Sequence, residues 1–214
     1  MSIKTIVVGA FQENSYLLID DETRHAVLID PGDEGDRLVS IIRASGATLD
    51  AIWLTHAHVD HVGGIAAVKR ALDVPVHVHP SDRPLYDRAV EHGAKFGLTV
   101  EAPPAPDHQL AGGDVLRVGS LAFDVMHTPG HAPGHVVIHG NGVAFVGDCL
   151  FAGSIGRTDL PFAHAPDLVR SLELIAALPP ETVVYPGHGP ATTIARERQS
   201  NPFLNGMARV VGGG

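Results

Sequence analysis

The stretch Thr55-His56-Ala57-His58-Val59-Asp60-His61-Val62-Gly63-Gly64 decides the fold of this chain, because it holds three histidines and one aspartate within six consecutive residues. An apolar run at residues 51–54 precedes it, and an amphipathic run at residues 65–72 follows the glycine pair. This order predicts a strand, a loop and a helix, with four potential ligands on the loop. Imidazole and carboxylate together suit zinc, iron or manganese, so the loop is predicted to bind metal. A polar loop that is rich in histidine by chance is the competing interpretation.

The length and composition indicate a globular protein. With 214 residues, the chain is predicted to form a single domain over residues 1–214 with a substantial core. Apolar residues make up 44% and charged residues 18%, which is typical of soluble proteins. The formal charge of −9 disfavours nucleic acid and anionic membranes as partners.

The sequence predicts neither a signal peptide nor a membrane span. The apolar stretch near Met1 is too short for a signal peptide, and no run approaches the roughly 20 apolar residues of a membrane span. Cys149 is the one cysteine, so an internal disulfide is excluded. We therefore expect a cytoplasmic protein, and the sequence leaves its oligomeric state open.

Strand and helix patterns alternate in both halves of the chain. In the first half, strands are predicted at residues 6–8, 15–19, 25–30, 51–54 and 76–79, and helices at 33–45, 65–72 and from 80 towards 92, before a long loop at 97–113. In the second half, strands are predicted at residues 115–118, 121–126, 136–139, 143–146 and 182–185, and helices at 168–178 and 192–199. Hairpins mixed with strand–helix units predict an α/β (α+β) fold, a four-layer αββα sandwich. Residues 212–214 are predicted to be a frayed end.

Three more ligand-type side chains follow predicted strands directly. His131, Asp148 and His188 each lie beside glycine, where backbone can approach closely. Strand ends that meet at one edge of a sheet are a recurrent place for a site. Together with the four side chains of the first loop, this makes seven ligand-type residues, which suits two metal ions better than one.

The motifs THAHVDHVGG, TPGH, GD and PGHG, in this order and at these strand ends, resemble the metallo-β-lactamase-fold superfamily. The longer segments TPGHAPGH, GDCLFAGSIGRTDL and YPGHGPATTIARERQSNPFL are similar to the short glyoxalase II-like (hydroxyacylglutathione hydrolase-like) hydrolases over nearly the whole chain. Full-length glyoxalase II enzymes carry a further C-terminal helical domain that binds glutathione. Since only about two dozen residues follow His188, we expect that domain to be absent, which leaves the thiol specificity open.

The resemblance implies a ligand set and a cofactor. It implies that the first metal is held by His56, His58 and His131. It implies that the second metal is held by Asp60, His61 and His188, with Asp148 bridging both. Two divalent ions are expected, with zinc first and iron or manganese as alternatives. Asp60 and Asp148 are accordingly the predicted catalytic carboxylates.

The chemistry of such a pair favours thioester hydrolysis. Two dications roughly 3.5–4 Å apart lower the pKa of a shared hydroxide to about neutral and polarise a carbonyl. A thiolate, with an ordinary pKa of about 8.5, departs without a strong general acid. An amide nitrogen would need a proton. We therefore predict attack of a metal-bridging hydroxide on a small-molecule acyl-thioester such as an S-acylglutathione.

Other functions of the same fold remain open. Persulfide dioxygenases bind one iron, and their last motif runs Pro-Ala-His-Asp, whereas this chain has Pro186-Gly187-His188-Gly189. A lactonase or β-lactamase is a further alternative. A metal-dependent binding protein without activity is disfavoured, because every ligand position is filled.

Residues for substrate contact are less clearly marked. Arg157 is the candidate partner of a substrate carboxylate, and a structural ion pair with Asp159 or Glu173 is the alternative. Phe11 and Phe151 are candidates for the acyl pocket, against ordinary packing.

Two further side chains sit close to the predicted ligands in sequence. Cys149 is predicted to be buried and inert, because neighbouring residues of an extended segment point to opposite sides. His135 is predicted either to orient a ligand or to cap a turn.

Overall fold

The first of two large sheets is built from the N-terminal half of the chain. We describe residues 1–210 of a computed structural model. The strands of this sheet, in spatial order, are β1 (Ser2–Val8), β2 (Glu13–Ile19), β3 (His25–Ile29), β4 (Thr48–Trp53), β5 (Val76–Val78) and β6 (His108–Gln109). The pairs from β1 to β3 are antiparallel and those from β3 to β6 are parallel. The parallel strands therefore end at one edge of the sheet.

Helices connect these strands. They are α1 (Gly35–Ser45), α2 (Val59–Val62), α3 (Ile65–Leu72), α4 (Arg83–Tyr86) and α5 (Ala89–Lys95), with a 3₁₀ turn at Pro80–Asp82 before α4. The helices α1 and α3 pack on the outer face of the sheet through residues such as Leu38, Ile42, Ile65 and Val68. The predicted metal loop lies between β4 and α3, and α2 is a single helical turn within it.

The second sheet is built from the C-terminal half. In chain order the strands are β7 (Val115–Val118), β8 (Leu121–His127), β9 (Val136–Gly140), β10 (Val143–Gly147), β11 (Leu150–Phe151), β12 (Ser154–Ile155), β13 (Val183–Pro186) and β14 (Thr192–Thr193). The sheet has the order β14-β13-β10-β9-β8-β7, and β11 with β12 forms a separate hairpin. The helices α6 (Ala165–Ala176) and α7 (Ile194–Ser200) complete this half.

Three apolar layers separate the four layers of secondary structure. Along β2, Leu17 packs towards the helices, whereas Tyr16 and Leu18 pack between the sheets. Along β10, Phe145 packs between the sheets and Val146 packs against the outer helices. Successive side chains of a strand point to opposite faces, so buried strands feed two cores. The predicted αββα sandwich is confirmed.

The turn between β9 and β10 shows why the hairpin predictions are correct. Val143 pairs with Gly140, which leaves Asn141 and Gly142 as the two loop residues. Their φ angles are 51° and 80°. Both residues adopt the left-handed conformation that a type I′ hairpin turn requires, and asparagine and glycine adopt it most readily.

Several boundaries differ from the predictions. The helix predicted from residue 80 towards His92 is interrupted, because the amide of Arg88 donates to the carbonyl of Leu85 at 3.3 Å, out of the α-helical ladder. The predicted helix 192–199 begins with two residues of strand, and Thr193 caps the remainder by accepting a hydrogen bond from the amide of Arg196. The short strands β6, β11, β12 and β14 were not predicted, since two residues carry no periodicity. The predicted frayed end at residues 212–214 lies outside the described residues.

Side chains of β2 form hydrogen bonds that link the two sheets near the end of β13. The Tyr16 hydroxyl donates to the carbonyl of Pro186 at 2.6 Å. The Asn14 amide donates to the carbonyls of Pro186 and Gly189, at 3.0 and 2.8 Å. The turn that carries His188 is therefore held by the opposite sheet.

Within residues 1–210, no helix combines the length and the apolarity that crossing a membrane would require.

We expect Tyr16→Phe to lower the free energy of unfolding by about 1 kcal/mol, because a buried hydrogen bond between the sheets is lost. Urea unfolding followed by circular dichroism measures this free energy. Tyr185→Phe is the control, since its hydroxyl has no hydrogen bond to another described residue. Equal stabilities of the two variants would contradict a role for the Tyr16 hydroxyl.

Candidate metal centre

The seven predicted ligands lie at the ends of four strands. The loop after β4 carries His56 and His58, and the turn α2 carries Asp60 and His61. The other three follow strands of the second sheet, namely His131 after β8, Asp148 after β10 and His188 after β13. The two sheets thus contribute to one site at their common edge.

Six of these side chains form two compact groups. In the first, the ligand atoms of His56, His58 and His131 all lie within 4.8 Å of one another. In the second, the same limit holds for the ligand atoms of Asp60, His61 and His188. Each group could surround one cation.

Asp148 lies between the two groups. Its Oδ2 is 3.5 Å from Nε2 of His131 and 3.5 Å from Nε2 of His188. Its Oδ1 is 3.4 Å from Nε2 of His61. A carboxylate in this position is able to bridge two cations, and its role as a ligand stays a prediction.

Hydrogen bonds fix the tautomers of three ligand histidines. In each, the ring Nδ1 lies next to an oxygen that can only accept a hydrogen bond. For His61 this oxygen is Oδ2 of Asp30, at 3.1 Å. For His131 it is the carbonyl oxygen of Arg157, at 2.9 Å, and for His188 it is the carbonyl oxygen of Phe11, at 3.1 Å. Each Nδ1 therefore carries a proton, which leaves Nε2 as the ring atom that could bind a cation.

Thr55 fixes the fourth tautomer. Its hydroxyl donates to Oδ2 of Asp30 at 2.6 Å, so its oxygen is left to accept from Nδ1 of His56 at 3.1 Å. The lone pair of His56 then also lies on Nε2. One aspartate, Asp30, thereby orients a histidine of each group.

Several buried polar atoms at the centre have no hydrogen-bond partner, and they indicate whether cations fit here. Nε2 of His56, Nε2 of His61 and Oδ1 of Asp148 are buried, and none has a hydrogen-bond partner. Buried polar atoms are nearly always paired, so three unpaired acceptors that face one another need an explanation. Cations among them satisfy every lone pair, and the mixed imidazole and carboxylate donors suit zinc, iron or manganese.

The protonation states of the first group suit metal binding. Burial and the neighbouring imidazoles lower the pKa of His56 well below its ordinary value and bring the pKa of His58 to about 3. Burial opposes ionisation of Asp148, but His61 and His131 outweigh it and lower the pKa of that carboxyl. Neutral imidazole and ionised carboxylate are the forms that ligate metals.

The second group differs. Burial opposes protonation of His61 and His188, but the carboxylates of Asp148 and Asp60 outweigh it and raise the pKa of both rings. A cation bound to this group would therefore displace a proton from each ring.

Three buried acids around the centre were not predicted from the sequence. Asp30 holds Thr55 and His61, as described above, and its φ of 48° bends the chain after β3. Glu13 is 1% exposed, and its Oε1, which has no hydrogen-bond partner, lies 3.8 Å from Nδ1 of His61. The signal that could have found Asp30 is an acid at the end of an apolar strand before Pro31-Gly32.

The third acid, Asp82, ties two ligand loops together. It is fully buried, and its carboxylate accepts the amide of Ala57 at 2.8 Å and the amide of Gly134 at 2.5 Å. Ala57 lies between His56 and His58, and Gly134 lies on the loop of His131. Burial raises the pKa of Asp82 to about 6. No motif in the sequence marks this residue.

His135 contacts two of the predicted ligands. Its Nε2 accepts the backbone amide of Asp148 at 3.1 Å, and its ring stacks on that of His56 at 4.9 Å. Its role in orienting metal ligands stays a prediction. Cys149 is fully buried, its thiol donates to the carbonyl of Thr128 at 3.4 Å, and burial raises the pKa of the thiol. The prediction that Cys149 is buried is confirmed.

A pocket of about 490 Å³ opens over the centre. The three predicted substrate residues line it, namely Phe11, Phe151 and Arg157. The Arg157 guanidinium pairs with Asp159, at 2.9 and 2.8 Å, which is one of the structural pairs considered as the alternative. Phe151 lies beside the centre, with its ring centroid 6.1 Å from that of His188. Their contacts with a substrate stay predictions.

Comparison with known proteins places these features in a family. The model of the Metallo-beta-lactamase superfamily matches residues 8–188. The hydroxyacylglutathione hydrolase GloC of Haemophilus influenzae is 39% identical over 210 residues, which covers 96% of this chain and 99% of GloC.

Two solved structures are closely similar. TTHA1623, in a di-iron-bound form, superposes with a TM-score of 0.87 at 46% identity, and covers 94% of this chain and 100% of its own. The B3 metallo-beta-lactamase BLEG-1 superposes with a TM-score of 0.89 at 39% identity, over 95% of this chain and 99% of its own.

We expect Asp82→Asn to weaken metal binding by about tenfold or more, because the amide group would turn a donor towards a backbone N–H and loosen both ligand loops. Competition with a chromogenic chelator measures the dissociation constant.

Asp87→Asn is the matched control, since Asp87 is exposed and pairs with Arg83. If the two variants retained metal equally well, the role of Asp82 in positioning the loops would be refuted.

Proposed function

Because the chain belongs to the metallo-beta-lactamase superfamily, we propose that it is a dinuclear metallohydrolase of acyl-thioesters, with S-acylglutathiones as the substrate class. The observation that carries this proposal is the pair of three-residue groups on either side of Asp148. A complete second group favours two cations over one. The similarity to GloC supports the glyoxalase II type of reaction.

In this proposal, His56, His58 and His131 hold one cation. Asp60, His61 and His188 hold the other, and Asp148 is shared. Two bound divalent cations would supply Lewis acidity, which acidifies water and polarises a substrate carbonyl. We propose zinc, with iron as the alternative that TTHA1623 suggests.

The pocket side chains support thioesters as the substrate class. Outside the proposed ligands, the lining groups that carry a dissociable proton are His92, Lys95 and Arg157. The side chains of Lys95 and Arg157 are 58% and 64% exposed. A thiolate leaves without a proton donor, whereas an amine does not. The apolar lining, with Phe151 beside the centre, would shield the acyl group from bulk water.

β-Lactam hydrolysis is the second candidate, because BLEG-1, a B3 metallo-beta-lactamase, is 39% identical. A persulfide dioxygenase with one iron is the alternative outside hydrolysis. The proposal also places the protein in the cytoplasm, where small-molecule thiols are kept reduced.

Metal analysis together with a substrate panel tests the proposal. We expect close to two metal ions per chain, and faster turnover of S-lactoylglutathione than of a β-lactam or a lactone. One iron per chain, with oxygen uptake on glutathione persulfide, would replace hydrolysis by the dioxygenase. Faster turnover of the β-lactam would favour the lactamase.

We expect Asp60→Ala to remove about one of the two metal ions and to lower kcat by about 100-fold or more, because the second group loses its carboxylate. Metal content and initial rates measure the two effects. Circular dichroism checks that the fold is intact, and Asp36→Ala on the surface of α1 is the control. Unchanged metal content in Asp60→Ala would rule out this ligand assignment.

A further inference from the structure

One wall of the pocket comes from the segment 83–96, which lies between β5 and β6. Its lining residues are Leu85, His92, Lys95 and Phe96, and we call them the α4–α5 wall. Arg157 and Leu160 also line the pocket.

Two exposed cations lie in the lining of the pocket, although the formal charge of the chain is −9. The carboxylates in its lining are Asp60 and Asp148, and both belong to the centre. The other charged lining residues are the cations Lys95 and Arg157. A concave site with cations at its edge attracts anionic ligands.

Lys95 is available to such a ligand. Its ammonium pairs with Glu91 at 3.2 Å, but Glu91 already accepts two shorter bonds from Arg88, at 2.7 and 2.8 Å. An exposed ion pair contributes little to stability. Exchange of Glu91 for a substrate carboxylate therefore costs little.

An aromatic pair connects Lys95 with the centre. The rings of Phe11 and Phe96 meet edge to face, with centroids 5.5 Å apart, and they are 41% and 57% exposed. The carbonyl of Phe11 holds His188, and Phe96 directly follows Lys95. Two exposed rings in contact offer an apolar surface that leads from the second ligand group to a cation.

We propose that the α4–α5 wall, together with Phe11, binds the thiol half of the substrate. The chain of the thiol packs on Phe11 and Phe96, and its carboxylate pairs with Lys95, with His92 alongside. The inference rests on the proposed thioester hydrolysis, and it narrows the substrate class to thiols that carry a carboxylate several bonds from sulfur.

The test uses Lys95→Met, which keeps the aliphatic length and removes the charge. The substrates are S-lactoylglutathione, with its charge on the thiol half, S-lactoyl-N-acetylcysteamine, with no charge, and S-succinyl-N-acetylcysteamine, with its charge on the acyl half. We expect KM for S-lactoylglutathione to rise about fivefold to tenfold with kcat unchanged, and KM for the other two to stay constant. The difference in KM for S-lactoylglutathione between Lys95→Met and the parent protein should shrink at high salt, because screening weakens the pairing of Lys95 with the substrate carboxylate.

Lys4→Met is the control, because it makes the same change of net charge on β1, outside the pocket lining. An equal rise of KM for the uncharged thioester, a rise only for the succinyl thioester, or no rise at all would overturn the inference.

Binding separates this inference from the proposed reaction. S-Hexylglutathione cannot be hydrolysed, and calorimetry should show that it binds the parent protein several-fold more tightly than Lys95→Met. Equal affinities would overturn the subsite even if thioesters are hydrolysed. If none of the three thioesters is hydrolysed, the proposed reaction fails whatever the binding shows.

Discussion

The crowding of lone pairs at one edge of the two sheets is the constraint on which the structure depends. Nε2 of His56, Nε2 of His61 and Oδ1 of Asp148 are buried without hydrogen-bond partners and face a common space. Such an arrangement is unfavourable unless cations fill it. A fold that keeps these groups together must hold the surrounding loops rigidly, and the contacts around the centre do so.

Each loop at the centre is held by a distant part of the chain. Asp30 holds Thr55 and His61, and Asp82 joins the loop of His56 to the loop of His131. The turn of His188 is held by the first sheet, through the side chains of β2. Because both sheets contribute predicted ligands and both contribute the contacts that fix them, the centre and the sandwich support one another.

The sequence was sufficient for the sandwich and for the convergence of seven ligand-type side chains, because both follow from short-range patterns. Strand periodicity, the turn Asn141-Gly142 and the polar residues at strand ends are all local signals. The roles of Asp30 and Asp82 could not be predicted, because their partners lie 25 to 52 residues away in sequence. The break in the helix before Arg88 was missed for a related reason, since helical spacing continues across it.

Two residues at the pocket make one contact through the main chain and another through the side chain. Phe11 and Arg157 orient His188 and His131 through their carbonyl oxygens, while their side chains face the pocket. Every amino acid has a carbonyl, so a substitution at either position keeps the orienting acceptor as long as the backbone stays in place. Evolution, or a protein engineer, can therefore vary what enters this pocket without altering the acceptors that orient the two histidines.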